Sequence, residues 1–503
     1  MIFETSLLPI DNLSLFMLAL IAFLFPLIFI YSLAYVKRNL FRYYFVLFIT
    51  LGGMLGTVLA RDLLSFYIFL EIMTVGIYFL IIDNAKKESF PAGFKYILMM
   101  FAGGIFILVA TLMLYNLTGT FEFAEIARVA PALPGAAVAL IFALFTIGCL
   151  VEMGAVPFHV WLPDAHPVAP SPISALLSGV AIKVGAYGII RMILTLEVLN
   201  SAIILIGIIS MLFGVVLALR QTDVKRLLAY HSISQMGYVL LGIGLGSGIG
   251  MAGGLFHILN HATFKMLLFL CMGAVIYATG ERELNKLGGL GKRMPITLVA
   301  FGIAALAISG IPPFNGFASK AMISESVSGN FLLKLVIILT AAGTFASFFK
   351  LFRFAFLGSL PAKLEKTRGV PILMLLPMLV LAAACLCIGL FPAQLLSSLI
   401  APSIGSAITF NFWNIKIFID TFLIVFLGFG IYILGSKTGF LRIEKEALAP
   451  SFVRYFSLDR ICRDAASALE RGCIELKKLH ARNLNAHLLW VFLALVTLIF
   501  LLR

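Results

Sequence analysis

The chain alternates between long apolar runs, each about 18–25 residues, and short polar intervals, and runs of that length span a bilayer's hydrocarbon when wound as α-helix. A membrane barrel strand would instead alternate polar and apolar residues over about ten positions. The pattern predicts an all-α integral membrane protein of about fourteen transmembrane helices. Their limits are 12–36, 42–60, 62–83, 93–116, 136–156, 173–196, 201–219, 226–246, 251–279, 295–328 (interrupted), 331–357, 371–396, 412–436 and 487–502. The one long polar stretch is 437–486. From Phe456 on, Leu458, Ile461, Ala465, Leu469, Gly472, Leu476 and Leu479 recur at helical spacing, with Arg460, Arg463, Lys477 and Lys478 elsewhere on the wheel. This predicts an amphipathic lateral helix along the cytoplasmic face, lying on lipid or on a neighbouring subunit.

The spans group further. After an N-terminal span (1–41), segments 42–196 and 201–357 hold five spans each, followed by two more spans (363–436), the lateral helix (437–486) and a last span (487–503). Because five is odd, two similar units in tandem have opposite orientations, as in many transporters. Each unit is broken in its fourth span. Pro157 and Pro163 follow the 136–156 run, and Gly310-Ile-Pro312-Pro313-Phe-Asn-Gly316 interrupts 295–328. Proline removes a backbone donor, and the carbonyls it frees at membrane depth need a protein or water lining. Paired broken helices therefore point to an ion pathway.

Composition agrees: 62% of the 503 residues are hydrophobic and 12% charged, against about 25% charged in soluble domains. A large soluble catalytic domain and intrinsic disorder are excluded. The net charge of +14 does not indicate nucleic acid, because the basic residues sit in short loops. Lys37, Arg38 and Arg42; Arg220, Lys225 and Arg226; Arg282, Lys286, Lys292 and Arg293; and Lys363, Lys366 and Arg368 fall on one side. Glu4, Asp11, Glu122, Glu125, Glu197 and Glu325 fall on the other. The positive-inside rule makes the basic side cytoplasmic and puts both termini outside, in a plasma membrane. The first residues lack a basic stretch, so no cleaved signal peptide is expected. The six cysteines form no ligand quartet, and Cys385 and Cys387 are too close for an ordinary metal pair.

Ionisable groups inside apolar helices cost about 2.5–3.5 kcal/mol each, which marks them as functional. Glu71, Glu152, Lys183, Lys320 and Lys350 lie in such settings, and His257, His261 and Lys265 line one helix face at i, i+4, i+8. A structural reading, ion pairs that only fix helix packing, accounts for one such residue better than for eight. No further His or Cys accompanies His257 and His261, and Lys265 is a poor neighbour for a cation, so no metal is expected. The sequence shows no nucleotide loop, haem or iron–sulfur spacing, and no cofactor is expected. Reversible protonation is the chemistry these side chains offer, with Lys183 as the central proton holder, Glu71 as its modulating partner and the histidines as relays.

Four stretches carry a resemblance. They are Pro157-Phe-His159-Val-Trp161-Leu-Pro163-Asp164-Ala-His166 with Ala169 to Gly179 and Lys183-Val-Gly-Ala-Tyr-Gly; Thr222-Asp-Val-Lys225-Arg to Gly237; His257-Ile-Leu-Asn-His261-Ala-Thr-Phe-Lys265; and Gly310 to Lys320. Together they resemble the antiporter-like subunits of complex I, the L, M and N types of NADH–quinone oxidoreductase, shared with Mrp antiporters and membrane-bound hydrogenases. The resemblance implies a proton path in which a carboxylate at Glu71 pairs with a lysine in the first broken helix. Lys183 passes protons to the centre, His257, His261 and Lys265 continue the axis, and Lys320 is the exit. It also implies other membrane subunits as partners, both antiporter-like and small, with a peripheral redox arm reached indirectly and electron transfer left to partners.

Two features depart from the family. The broken-helix lysine is replaced by Glu152, an acidic partner for Glu71 that suits a shared proton or Na+. The chain also starts at what would be the family's third span. The favoured setting is a membrane-bound hydrogenase-type complex or NADH–quinone oxidoreductase. The alternatives are a non-redox Mrp-type Na+/H+ antiporter and, from another class, a scaffold anchoring a soluble oxidoreductase.

Overall fold

The computed structural model describes residues 11–441 except 200, 366 and 368. The expected lateral helix and last span lie outside these residues. The first helices are α1 (Asn12–Tyr35), α2 (Leu40–Leu59), α3 (Leu63–Ile81) and α4 (Ser89–Thr118). A short α5 (Phe123–Val129), unforeseen from the sequence, precedes α6 (Gly135–Met153). Then come α7 (Leu162–Val168), α8 (Ser171–Leu176) and α9 (Ile182–Leu196). The second group is α10 (Ser201–Leu219), α11 (Val224–Gly244), α12 (Gly248–Thr279), α13 (Pro295–Ser309), α14 (Gly316–Ser326) and α15 (Phe331–Phe356). It is followed by α16 (Ile372–Leu390), the short α17 (Pro392–Leu395) and α18 (Ala401–Ser403), and α19 (Ile415–Lys437).

Eleven of these stretches are long and apolar enough to cross a membrane. α13 is a shorter apolar helix. α11 has the length, at 21 residues, but not the apolarity, and it is buried along almost its whole course. Its His231, Ser232, Ser234 and Gln235 are tolerable because protein, not lipid, surrounds them. The expectation for 371–396 runs too far: α16 stops at Leu390, where Pro392 opens a new turn.

Several local features recur in both halves. Asp62 caps α3 by accepting from Ser65 N at 2.7 Å, and Asp223 caps α11 by accepting from Lys225 N at 2.9 Å. Each capping residue forms a two-residue antiparallel bridge to the segment that follows the next helix, Asp62 with Glu122 and Asp223 with Glu283. Both broken helices end in a left-handed glycine, Gly154 (φ +64°) and Gly310 (φ +80°). At each, the next residue reaches back across the last turn: Ala155 N to Leu150 O (3.0 Å) and Ile311 N to Leu306 O (3.1 Å). This closure satisfies carbonyls that would otherwise face the break unpaired.

One interruption carries no proline and only a single glycine, Gly179. Between α8 and α9, Leu177–Ala181 winds as a π turn, so the expected single span over 173–196 carries a bulge beside Lys183. At the other end of α9, Arg191 reaches α1. Its guanidinium pairs with Asp11 and donates to Ser14 Oγ (2.8 Å) and Tyr187 Oη (2.7 Å). Burial opposes ionisation of Asp11, but hydrogen bonding and charge from Arg191, with Ser14, outweigh it and hold the carboxyl below the usual carboxylate range.

Candidate functional site: a buried line of titratable side chains

Lysines lie along the interior, each with its ammonium on backbone carbonyls. Lys183 is fully buried and donates to Ser178 O, a carbonyl of the π turn. A π turn leaves a carbonyl without its usual intrahelical partner, which is how the bulge supplies this acceptor. Lys265 donates to Leu228 O (2.5 Å), and Lys320 to Ile308 O (2.6 Å) at the C-terminal end of α13. Lys350 donates to Leu219 O (2.6 Å) and Gln221 O (2.9 Å) where α10 ends, and Lys225 to Ala169 O (2.6 Å) where α7 ends. Helix C-termini offer unpaired carbonyls and the negative end of the macrodipole, so they can hold a cation without a carboxylate. Among the described residues, none of these five lysines forms a salt bridge.

Histidines fill the intervals. His261 stacks on His257 with ring centroids 6.2 Å apart. It lies in the electrostatic field of Lys183, Lys265, His257 and Lys320 together. His257 Nδ1 bonds Ser319 Oγ (2.8 Å) and its Nε2 bonds Gln235 Oε1 (3.1 Å). Asn260 adds bonds to Asn315 O and Ser319 Oγ, both 2.9 Å, tying α12 to the second break. His261 and His231 are buried with both ring nitrogens unpartnered. His166 is likewise unpartnered and stacks on Phe269 at 4.5 Å. Unpaired buried polar atoms are costly and are a reason to look for ordered water or transferable protons.

In the first half, Glu71 of α3 faces α4 where Gly104 leaves room. A Cβ there would lie 2.0 Å from Glu71 Oε1. Glu71 Oε2 is closed off from solvent without a hydrogen-bond partner. Glu152, in the last turn of α6 and only 6% exposed, lies within electrostatic reach of Glu71. Each carboxylate thus feels the protein interior, and Glu152 also feels the charge of Glu71. Glu71 and Lys183 are not joined by a salt bridge. The charged side chain whose field reaches Lys183 is Lys265.

The motif residues build the frame. Trp161 donates its indole N–H to Val151 O (3.0 Å), holding the start of α7 under α6, and packs edge-on against Tyr96. Pro163 sits in the first turn of α7, where its missing N–H costs nothing. Pro157 lies in the first break, and His159 packs edge-on against Phe213 of α10. Asp164 accepts from Lys95 and from Arg226, both at 2.6 Å, which links α7 to α4 and α11. At the second break Pro312 and Pro313 are followed by Asn315, whose N–H donates to Cys385 O (2.9 Å) of α16. Gly389 of α16 is required there, since a Cβ would lie 2.0 Å from Pro313 O.

Sequence reasoning missed Arg191, Gln235, Asn260, Ser178 and Ser319. Arg191 carried the same signal as the lysines, a charge in an apolar run. The neutral partners carry little signal, because small polar residues are common in membrane helices.

Together these features define a multi-pass membrane protein with broken helices around a buried titratable axis. The chain belongs to the NADH:quinone oxidoreductase/Mrp antiporter transmembrane family, whose pattern matches residues 60–350. It is an antiporter-like subunit of the kind shared by complex I, hydrogenases and Mrp antiporters. It is 35% identical to hydrogenase-4 component B of Escherichia coli (strain K12) over 76% of this chain and 62% of that protein, so it spans less than two thirds of that relative. It is 32% identical to NADH-quinone oxidoreductase subunit N of Desulforudis audaxviator, over 78% of this chain and 83% of that protein. Among solved structures, a chain of the membrane-bound sulfane sulfur reductase, an archaeal respiratory membrane complex, matches with a TM-score of 0.79 and 26% identity, covering 97% of this chain and 89% of that chain. A chain of the Mrp complex from Dietzia sp. DQ12-45-1b matches with a TM-score of 0.72 and 25% identity, covering 82% and 86%.

Proposed function

We propose that the chain is the proton-translocating module of a complex I-related respiratory complex, with Na+ as the alternative ion. The observation that carries this is the set Lys183, Lys265, His261, His257 and Lys320, buried together and, among the described residues, free of salt bridges. A packing role would favour each ammonium matched to a carboxylate, whereas carbonyl acceptors hold an amine in either protonation state. Glu71 and Glu152 form the entrance pair of this line, and Lys320 its far end. The recurrent caps, bridges and broken-helix closures support two inverted five-helix units over 42–196 and 201–357, with 1–41, 363–436, 437–486 and 487–503 as additions. The chain sits in the plasma membrane beside further antiporter-like and small subunits and lipid, both termini away from the cytoplasm. A redox arm is reached only through those neighbours. The likeness to hydrogenase-4 component B and to the sulfur reductase complex favours a redox setting. Likeness to the Mrp complex supports a second reading, a non-redox Na+/H+ antiporter.

The test is ion transport by the purified complex in sealed vesicles. Lys183→Ala is expected to lower transport at least about tenfold while all subunits still copurify, and Lys183→Arg to fail as well, because a guanidinium does not release its proton. Unchanged transport by Lys183→Ala would leave the chain a scaffold.

A further inference from the structure

Helix α9 carries two buried cations, Lys183 near its start and Arg191 near its end. They are separated by about 12 Å along the axis, at 1.5 Å per residue. Every residue of α9 except Leu194 is buried. The interior is closed around Arg191 from several helices. Its guanidinium pairs with Asp11 and donates to Ser14 Oγ and Tyr187 Oη. Those two hydroxyls in turn donate to Val58 O at the end of α2, at 2.8 and 2.9 Å. The guanidinium also lies over the rings of Tyr187 (5.2 Å to the centroid) and Phe123 of α5 (5.5 Å). Phe123 stands edge-on to Phe66 of α3, which stacks on Tyr187. The Asp11 side chain is 30% exposed and that of Arg191 only 8%, so the pair marks the line between water and the interior.

The second half holds a counterpart of different chemistry. Val58 stands to the capping Asp62 as Leu219 stands to the capping Asp223, and Leu219 O accepts from Lys350 (2.6 Å). One place is thus held by an amine, which can release its proton, and the other by a guanidinium, which cannot. A cation needed for packing alone could be either.

We propose that Arg191, pinned by Asp11, Ser14 and Tyr187, is an ion barrier that keeps Lys183 from exchanging protons with the aqueous phase on the Asp11 side. This rests on the reading of Lys183 as the central proton holder. A fixed guanidinium in a narrow, closed place repels a proton carried on water or a small cation and offers no site to relay one. A proton on Lys183 is thereby confined to the buried line. Arg191 is a positioning and sealing residue here, not a carrier.

The experiment uses the intact complex in sealed vesicles without an electron donor and follows the decay of an imposed pH gradient. Arg191→Gln is expected to copurify with all subunits and to speed the decay about tenfold, since the electrostatic barrier is gone. Adding Lys183→Ala to Arg191→Gln should make the vesicles tight again, because the leak runs through Lys183. Arg191→Lys, which keeps a cation beside Asp11 but one that releases its proton, should also leak, and it decides if Arg191→Gln does not assemble. The proposal is overturned if the assembled variant holds the gradient as long as the unsubstituted chain. It is equally overturned if the leak persists unchanged in the double variant, since loosened packing would then be its cause. Lost transport by Lys183→Ala with a tight Arg191→Gln sinks the barrier alone, whereas normal transport by Lys183→Ala removes the role of Lys183 and the barrier together.

Discussion

A lysine held by backbone carbonyls differs from one held by a carboxylate. Its acceptor carries no proton of its own, so gain or loss of a proton by the amine leaves the partner unchanged. Lys183 and Lys265 repel when both are charged, so a charge on one disfavours a charge on the other. Glu152 is where this chain's chemistry parts from the rest of its family resemblance. Two carboxylates in a dry setting do not both stay charged cheaply, so they share a proton or admit a cation with a preference for oxygen ligands. Glu152→Gln is expected to slow transport about tenfold with assembly intact, since a neutral amide ends that sharing. Glu152→Lys is expected to transport with weaker dependence on Na+. Rates measured against Na+ concentration in the native chain and both variants decide; if none responds to Na+ and Glu152→Gln runs normally, the acidic pair has only a packing role. Glu71, Glu152, Lys183 and Lys320 were legible in the sequence because a charge in an apolar run has few explanations. Their actual acceptors were not, because a carbonyl carries no sequence signal.

Helices were legible wherever a run was apolar and uniform, and the breaks wherever glycine and proline cluster. The π turn at Leu177–Ala181 was not, because Gly179 is one glycine among many in the apolar runs and does not by itself mark an extra residue in a turn. Close packing also decides how α10 and α11 meet. A Cβ on Gly237 would lie 2.6 Å from Gly207 O and 2.7 Å from Met211 N, both backbone atoms that cannot swing away. A Cβ on Gly214 would likewise meet Tyr230 O at 2.7 Å. Gly237→Ala therefore has to part the two helices, and overpacking of this kind costs about 1–3 kcal/mol. The expected result is a lower Tm of the purified complex and a reduced yield. A Tm equal to that of the native chain would show that the helices separate freely.

At the scale of the whole molecule, the charged contacts between the halves gather at α7, while Ser178 meets Ser232 (2.7 Å) deeper in the interior. Asp164 is held by Lys95 of α4 and Arg226 of α11, while Arg282 pairs with Asp223 at 2.8 Å and donates to Pro167 O at 3.2 Å. The first broken helix is thereby clamped to the start of α11, so a shift at one is felt at the other. α11 itself has a further consequence, for how the protein is made. A helix that is long enough but too polar to enter lipid alone must enter with company. Its neighbour α10 is strongly apolar, precedes it directly and meets it through glycines at backbone distance. The two are therefore expected to leave the insertion machinery as one hairpin, with α10 carrying α11 into the bilayer. In a glycosylation-mapping assay, 224–244 alone should fail to integrate and 201–244 should integrate as a pair; efficient integration of 224–244 by itself would remove the dependence. The polarity of α11 is in this way carried through synthesis by the helix next to it.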